Sequence, residues 1–280
     1  CRVSTGKRSH AISPAPASSI RGVSHMQTLR LAMWSGPRNI STALMRAFEN
    51  RADCAVVDEP FYGYYLQATG LDHPAGEAVK ASMSCDWREV ARQLCEELPA
   101  TADRDRCSLF YQKHMTQHIL PAMDMAWTDG LVNCFLIRQP RRIIASYARV
   151  RPEFALEELG FVQQWELFQR VADRLGAAPP VIDSAATLAD PEGVLRALCE
   201  RVGIPFSAAM LSWPAGSRDS DGVWAPHWYA AVEASTGFQA VNEQPLAEVA
   251  LPPQCEAMCE QAEAIYARLS AHALGSTARG

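Results

Sequence analysis

The feature that most restricts this chain is residues 131–137, a run that is apolar apart from Asn133 and is closed by Arg138. A strand apolar on both of its faces belongs in a parallel sheet covered by helices on each side. The rest of the chain repeats the unit. Short buried-type runs at 28–34, 53–57, 108–112 and 181–183 alternate with segments of helical spacing. The clearest helix covers 85–98, through Trp87, Val90, Ala91, Leu94 and Leu98. Others are predicted over 42–50, onward from Met115, and over 141–150, 154–175, 194–202 and 254–274. Asp190 as cap with Pro191 at the first helical position is a strong start signal, and Gly203 with Pro205 is a strong stop. Residues 62–76, rich in Tyr, Gly and His, read as a loop. The predicted fold is α/β, a three-layer sandwich around a mainly parallel sheet, with ligands at the carboxyl ends of the strands.

The 280 residues suit one domain with one large core. Nothing approaches the roughly 20 apolar residues of a membrane span. Net charge is −5, and residues 1–25 carry Arg2, Lys7, Arg8 and Arg21 with no acid, leaving 22 basic against 31 acidic residues beyond them. A nucleic-acid or anionic-membrane partner would want a basic face, so neither is expected and any anion site must be local. Nine cysteines show no CxxC pair, and Cys134 and Cys199 fall in apolar patterns as small core residues. A reducing, cytoplasmic setting is expected. Residues 1–25 read as a disordered extension, either transit-like, with organellar import, or translated upstream sequence, and Met26 looks like a natural start for a single domain over 26–280. No signature marks an oligomer interface.

Two motifs sit where strands meet helices. Gly36, Pro37, Arg38, Asn39, Ser41 and Thr42 follow the first strand, with Asn39, Ser41 and Thr42 as candidate caps. Arg138, Pro140 and Ser146 follow the central one. A helix start presents N–H groups without partners and the positive end of the dipole, so each is a ready anion site. Two such sites on one sheet suit a ligand with two anionic groups, such as a phosphorylated nucleotide. The first loop is not a Walker A loop, which would need Gly and Lys where Ser41 and Thr42 stand. Each motif alone is equally consistent with an ordinary capped helix.

Together they resemble the sulfotransferase family, which uses 3'-phosphoadenosine 5'-phosphosulfate as donor. Arg38, Ser41 and Thr42 are in register with its 5'-phosphosulfate loop, a P-loop-type turn, and Arg138, Pro140 and Ser146 match its Arg-x-Pro-x5-Ser 3'-phosphate motif. Gly222, Trp224 and His227 match its C-terminal Gly-x-Trp-x-x-His, with Trp228 in the aromatic position. Two departures stand out. Asn39-Ile40 replaces Ser-Gly, and a β-branched residue does not easily take positive φ. Ser217, Arg218 and Asp219 stand where Arg-Lys-Gly is usual, leaving Arg218 alone for the 3'-phosphate beside an opposing aspartate.

The resemblance implies sulfuryl transfer to a hydroxyl or amine of a small-molecule acceptor, with no metal, and implies roles. Arg38 would stabilise charge at the transferred group; guanidinium stays protonated and is no proton donor. Glu59 or His114 would be the base, with Glu59 preferred, and Lys113 would contact the sulfuryl group. His114 and His118, four apart, lack the Glu and third ligand of a zinc site and read as helix-face histidines. Tyr62, Tyr64 and Tyr65 would line an acceptor pocket or pack a surface loop. Two other readings stay open: a nucleotide-binding protein of the same fold without transferase activity, and a small-molecule phosphotransferase. With only Lys80 and Lys113 beyond the extension, a pyridoxal-phosphate enzyme is disfavoured.

Overall fold

A computed structural model describes residues 28–239 and 245–275; the predicted N-terminal extension lies outside them. The elements run β1 (Leu29–Ser35), α1 (Ser41–Glu49), β2 (Cys54–Asp58), α2 (Tyr62–Thr69), α3 (Gly76–Ser82), α4 (Trp87–Glu96), β3 (Leu109–Met115), β4 (Val132–Ile137), α5 (Pro140–Ala148), α6 (Phe161–Leu175), β5 (Val181–Asp183), α7 (Ser184–Ala189) and α8 (Pro191–Val202). Two short helical turns, α9 (Ala225–Trp228) and α10 (Ala230–Glu233), precede the last helix, α11 (Glu256–Ser270).

The five strands pair in the order β2-β3-β1-β4-β5, every pairing parallel. Alternation along β1 sends Leu31 and Met33 to one face, where they meet Leu44 and Phe48 of α1 and Leu195 and Leu198 of α8. It sends Ala32 and Trp34 to the other, against Leu167, Phe168 and Val171 of α6. Both faces are therefore covered, which is why β1 and β4 read as nearly continuous apolar runs. Cys134 and Cys199 are buried as expected, and so are Cys255 and Cys259. Asp190 caps α8 by accepting from the Gly193 N–H at 2.9 Å, and Gly203 ends it at φ +76°.

Three local expectations fail. Residues 62–69 are helical, because Tyr62, Tyr65 and Leu66 at i, i+3 and i+4 form an apolar face that packs on Val79. No helix starts at Met115; β3 is held extended through that residue by β1, and only a 3₁₀ turn (Thr116–His118) follows. The helix predicted over 154–175 breaks at Gly160, which takes φ +70° and packs so closely that a Cβ on it would lie 2.5 Å from the Gln117 nitrogen.

Candidate functional site

Strand β1 lies between β3 and β4, so the chain leaves its carboxyl end at the point where the strand order reverses. A cleft of about 340 Å³ opens there. Gly36 is needed for packing: a Cβ on it would sit 2.7 Å from the Leu159 carbonyl oxygen. The loop solves its Ile40 problem by moving the left-handed residue. Arg38 takes φ +56°, while Ile40 stays at φ −88°. Asn39 braces the bend, its Oδ1 accepting from the Ile40 N–H at 2.8 Å and its Nδ2 donating to the Leu136 carbonyl at 3.3 Å. Contrary to expectation, none of Asn39, Ser41 and Thr42 caps α1: Ile40 is the cap residue, and no side chain bonds the first turn. The start of α1, with Ser41, Thr42 and Ala43, instead lines the cleft.

The second motif closes on the first. Arg38 Nε donates to Ser146 Oγ at 2.9 Å, and Arg138 Nη1 donates to the Arg38 carbonyl at 2.8 Å. Burial, then the neighbouring charges of Arg138 and Arg149, lower the pKa of Arg38. Partly buried like-charged guanidinium groups beside an uncapped helix start make this end of the cleft a place for anions.

At the other end lies a buried ion cluster. Lys113 Nζ donates to Asp58 Oδ1 at 2.7 Å, Glu59 Oε1 at 2.8 Å and the Tyr229 hydroxyl at 2.6 Å. Tyr229 in turn donates to Asp58 Oδ2 at 2.6 Å. Burial opposes the ammonium, but Asp58 and Glu59 outweigh it and hold the Lys113 pKa well above the ordinary lysine value. Glu59 moves upward: burial raises its pKa and Asp58 adds to this, while Lys113 pulls the other way. Its backbone takes φ +41°, a strained conformation that recurs at functional sites. Its Oε1 serves Lys113, and no described residue bonds its Oε2.

The cleft collects Pro37, Arg38, Asn39, Ser41, Thr42, Glu59, Lys113, Arg138 and Ser146 from the predicted set, and leaves out others. His114 is one of these. Alternation on β3 puts Lys113 on the cleft side and His114 on the opposite side. There it stacks on Trp34 at 4.2 Å, bonds Gln112 Oε1 through Nε2 at 3.1 Å and is pushed by burial to a pKa of about 3. Two other histidines line the cleft, His73 and His118, and the latter lies in the turn after β3 and not on a helix face.

The C-terminal motif is also placed elsewhere. Arg218 anchors its own loop, donating its N–H to Asp221 Oδ2 at 2.8 Å and Nη2 to the Pro214 carbonyl at 3.0 Å, beside a separate hollow. Gly222 approaches Asp58, and Trp224 is buried with Nε1 donating to the Tyr229 hydroxyl at 3.1 Å. These residues buttress the ion cluster. The C-terminal wall of the cleft comes from Trp228, Tyr229, Val232, Ser235 and Phe238. Of the tyrosines, Tyr62 lines the cleft and Tyr64 packs behind it against Phe61 and Val90. Sequence reasoning missed Asp58 and Tyr229; Asp58 beside Glu59 was a signal, whereas nothing local marks Tyr229.

A family model described as a sulfotransferase domain matches residues 29–271. The chain belongs to the sulfotransferase family. Sulfuryl transfer is the chemistry for which that family is named. Its fold is shared by the sulfotransferase domain of the curacin biosynthetic pathway, at TM-score 0.50 and 16% identity, covering 87% of this chain and 98% of that one. The sulfotransferase domain of the Synechococcus PCC 7002 olefin synthase shares it too, at TM-score 0.54 and 16% identity, covering 86% and 96%. Two Arabidopsis thaliana proteins named branched-chain-amino-acid aminotransferase-like proteins 1 and 2 are 37% and 34% identical over 212 residues, or 76% of this chain. The match spans only 37% and 36% of the length of these relatives. Among the described residues no group of His, Cys, Asp and Glu is arranged to hold a metal ion, and no helix is long and apolar enough to cross a membrane.

Proposed function

We propose that this sulfotransferase-family domain takes its sulfuryl group from 3'-phosphoadenosine 5'-phosphosulfate and passes it to a hydroxyl of a small acceptor. The observation that carries the reading is the bond from Arg38 to Ser146, which joins two anion-binding motifs into one site. The uncapped start of α1, with Ser41, Thr42 and Arg38, would hold the phosphosulfate, and Arg138 with Ser146 the 3'-phosphate. The acceptor oxygen forms a bond to sulfur as the bond from sulfur to the phosphate oxygen breaks in line. Adenosine 3',5'-bisphosphate leaves, and the acceptor proton passes to Glu59. Catalysis of this kind rests on positioning and charge stabilisation. Arg38 offsets charge on the departing oxygen, and burial, by raising the Glu59 pKa, makes that carboxylate a stronger proton acceptor. Lys113, held between two carboxylates, fixes Glu59 and acts on the sulfuryl group only if an incoming ligand displaces one of its partners.

The test is thermal stability with adenosine 3',5'-bisphosphate, AMP and ATP–Mg²⁺. A ligand at 100 times its Kd adds about 2.7 kcal/mol, an easily visible shift. A shift with the bisphosphate that AMP does not reproduce supports the donor. A shift with ATP alone favours the phosphotransferase. Bisphosphate binding without turnover of the sulfated donor favours a silent nucleotide binder.

A further inference from the structure

Beside Glu59 the cleft has a wall whose polar atoms are unused. His118 is 2% exposed, and neither of its ring nitrogens has a hydrogen-bond partner among the described residues. Its ring stacks on Tyr62 at 5.0 Å and lies 4.8 Å from Tyr65, so it is held in place by aromatic contact alone. Next to it His73 Nδ1 meets the Tyr62 hydroxyl at 2.8 Å, and His73 Nε2 is buried without a partner. The Tyr62 hydroxyl bonds no other described residue; where it donates to His73 Nδ1, the hydrogen of a neutral His73 lies on Nε2 and faces the cleft. Burial keeps both imidazoles neutral: His73 falls to about 4, and His118 lies well below its ordinary value. In that arrangement the wall offers one N–H from His73 and one N–H and one lone pair from His118. Buried polar groups of native proteins are nearly always paired, and leaving one unpaired costs about 1–3 kcal/mol. His73 and His118 both line the cleft, so a partner would arrive from that side.

The charge at this end defines what the partner is. Lys113 is already neutralised by Asp58 and Glu59, and Arg151, whose charge is felt at His73, is paired with Glu158 at 3.5 Å, so neither cation is left unpaired for a carboxylate or phosphate. Glu59 itself repels one. We propose that His73 and His118 form an acceptor subsite for an uncharged molecule with a second oxygen function, hydroxyl or carbonyl, next to the hydroxyl that receives the sulfuryl group. The reacting hydroxyl gives its proton to Glu59, while the second oxygen accepts from His73 Nε2–H and meets His118. The inference rests on the sulfuryl-transfer reading above.

The test follows transfer from labelled 3'-phosphoadenosine 5'-phosphosulfate to cyclohexanol, trans-1,2-cyclohexanediol, 2-hydroxycyclohexanone and 2-hydroxycyclohexanecarboxylate. Both uncharged, doubly oxygenated compounds should exceed cyclohexanol in kcat/KM by about tenfold, the scale of one well-made hydrogen bond, and the carboxylate should be the poorest. His73→Ala and Tyr62→Phe should each reduce that preference to less than about threefold. The melting-temperature shift caused by adenosine 3',5'-bisphosphate should persist in both variants, showing that the fold and donor site are intact. Four outcomes would overturn the subsite: equal kcat/KM across the series, a preference for the carboxylate, a preference surviving both variants, or no turnover of any compound by protein that binds the bisphosphate. Failure to bind the bisphosphate removes the donor reading instead.

Discussion

Arg38 Nε donates to Ser146 Oγ across 108 residues of sequence, at 2.9 Å. That bond ties the loop after β1 to the helix after β4 and sets the distance between the two elements proposed to bind anions. Ser146→Ala releases the guanidinium. Binding of adenosine 3',5'-bisphosphate, measured by calorimetry, should weaken by about tenfold with little loss of stability, as for one charge-assisted hydrogen bond.

Arg138 holds the Arg38 carbonyl from the other side. Arg138→Ala should weaken adenosine 3',5'-bisphosphate far more than its 3'-hydroxy counterpart. Equal weakening of the two nucleotides would remove Arg138 from the 3'-phosphate role and leave it as a brace of the loop.

Lys113→Met leaves Asp58 and Glu59 as buried carboxylates without their cation. Breaking a buried pair in this way costs about 3–5 kcal/mol, so the urea midpoint should fall sharply. Glu59→Gln keeps a hydrogen-bonding group against Lys113. It should therefore fold, with a melting temperature near that of the parent and turnover reduced by about 100-fold or more, the scale of a lost general base.

His114 supplies the pH dependence of stability. Its folded pKa is depressed to about 3 by burial, below the ordinary value of 6.5. A depressed group contributes stability that is present above its unfolded pKa and is lost as pH falls toward the folded one. Between pH 7 and pH 5 the loss from this one ring is about 2 kcal/mol, because only the unfolded chain gains the proton. His114→Gln should flatten the fall of the melting temperature over that window, with His73, depressed to about 4, and His118 accounting for what remains.

Gly36→Ala would place a methyl group 2.7 Å from the Leu159 carbonyl oxygen, which is backbone and yields little. A cost of about 1–3 kcal/mol is expected, together with a displaced loop and weaker bisphosphate binding.

What the sequence determined by itself was whatever repeats locally or hangs on one strand end. Apolar runs such as 131–137, with helix signals such as Asp190-Pro191 and Gly203, carry their own physics, so the parallel α/β sheet and the helix α8 could be read directly. So could the placing of two motifs at strand ends, because Arg38 and Arg138 each follow an apolar run and precede a helix. The helix α2 was hidden because tyrosine and glycine mask the i, i+3, i+4 face that Tyr62, Tyr65 and Leu66 present to Val79.

Only the tertiary structure decided which side chains share the cleft. Lys113 and His114 are neighbours in sequence, yet the two-residue period of β3 sends one into the site and the other behind Trp34. Gly222 and Trp224 lie in the segment read as a nucleotide site, yet Gly222 approaches Asp58 and Trp224 bonds Tyr229, whose hydroxyl donates to Asp58, 171 residues earlier. Periodicity and capping act over a few residues and leave a trace in the sequence. A buried hydrogen bond between distant segments leaves none, because its partner is fixed by how the strands are ordered in the sheet.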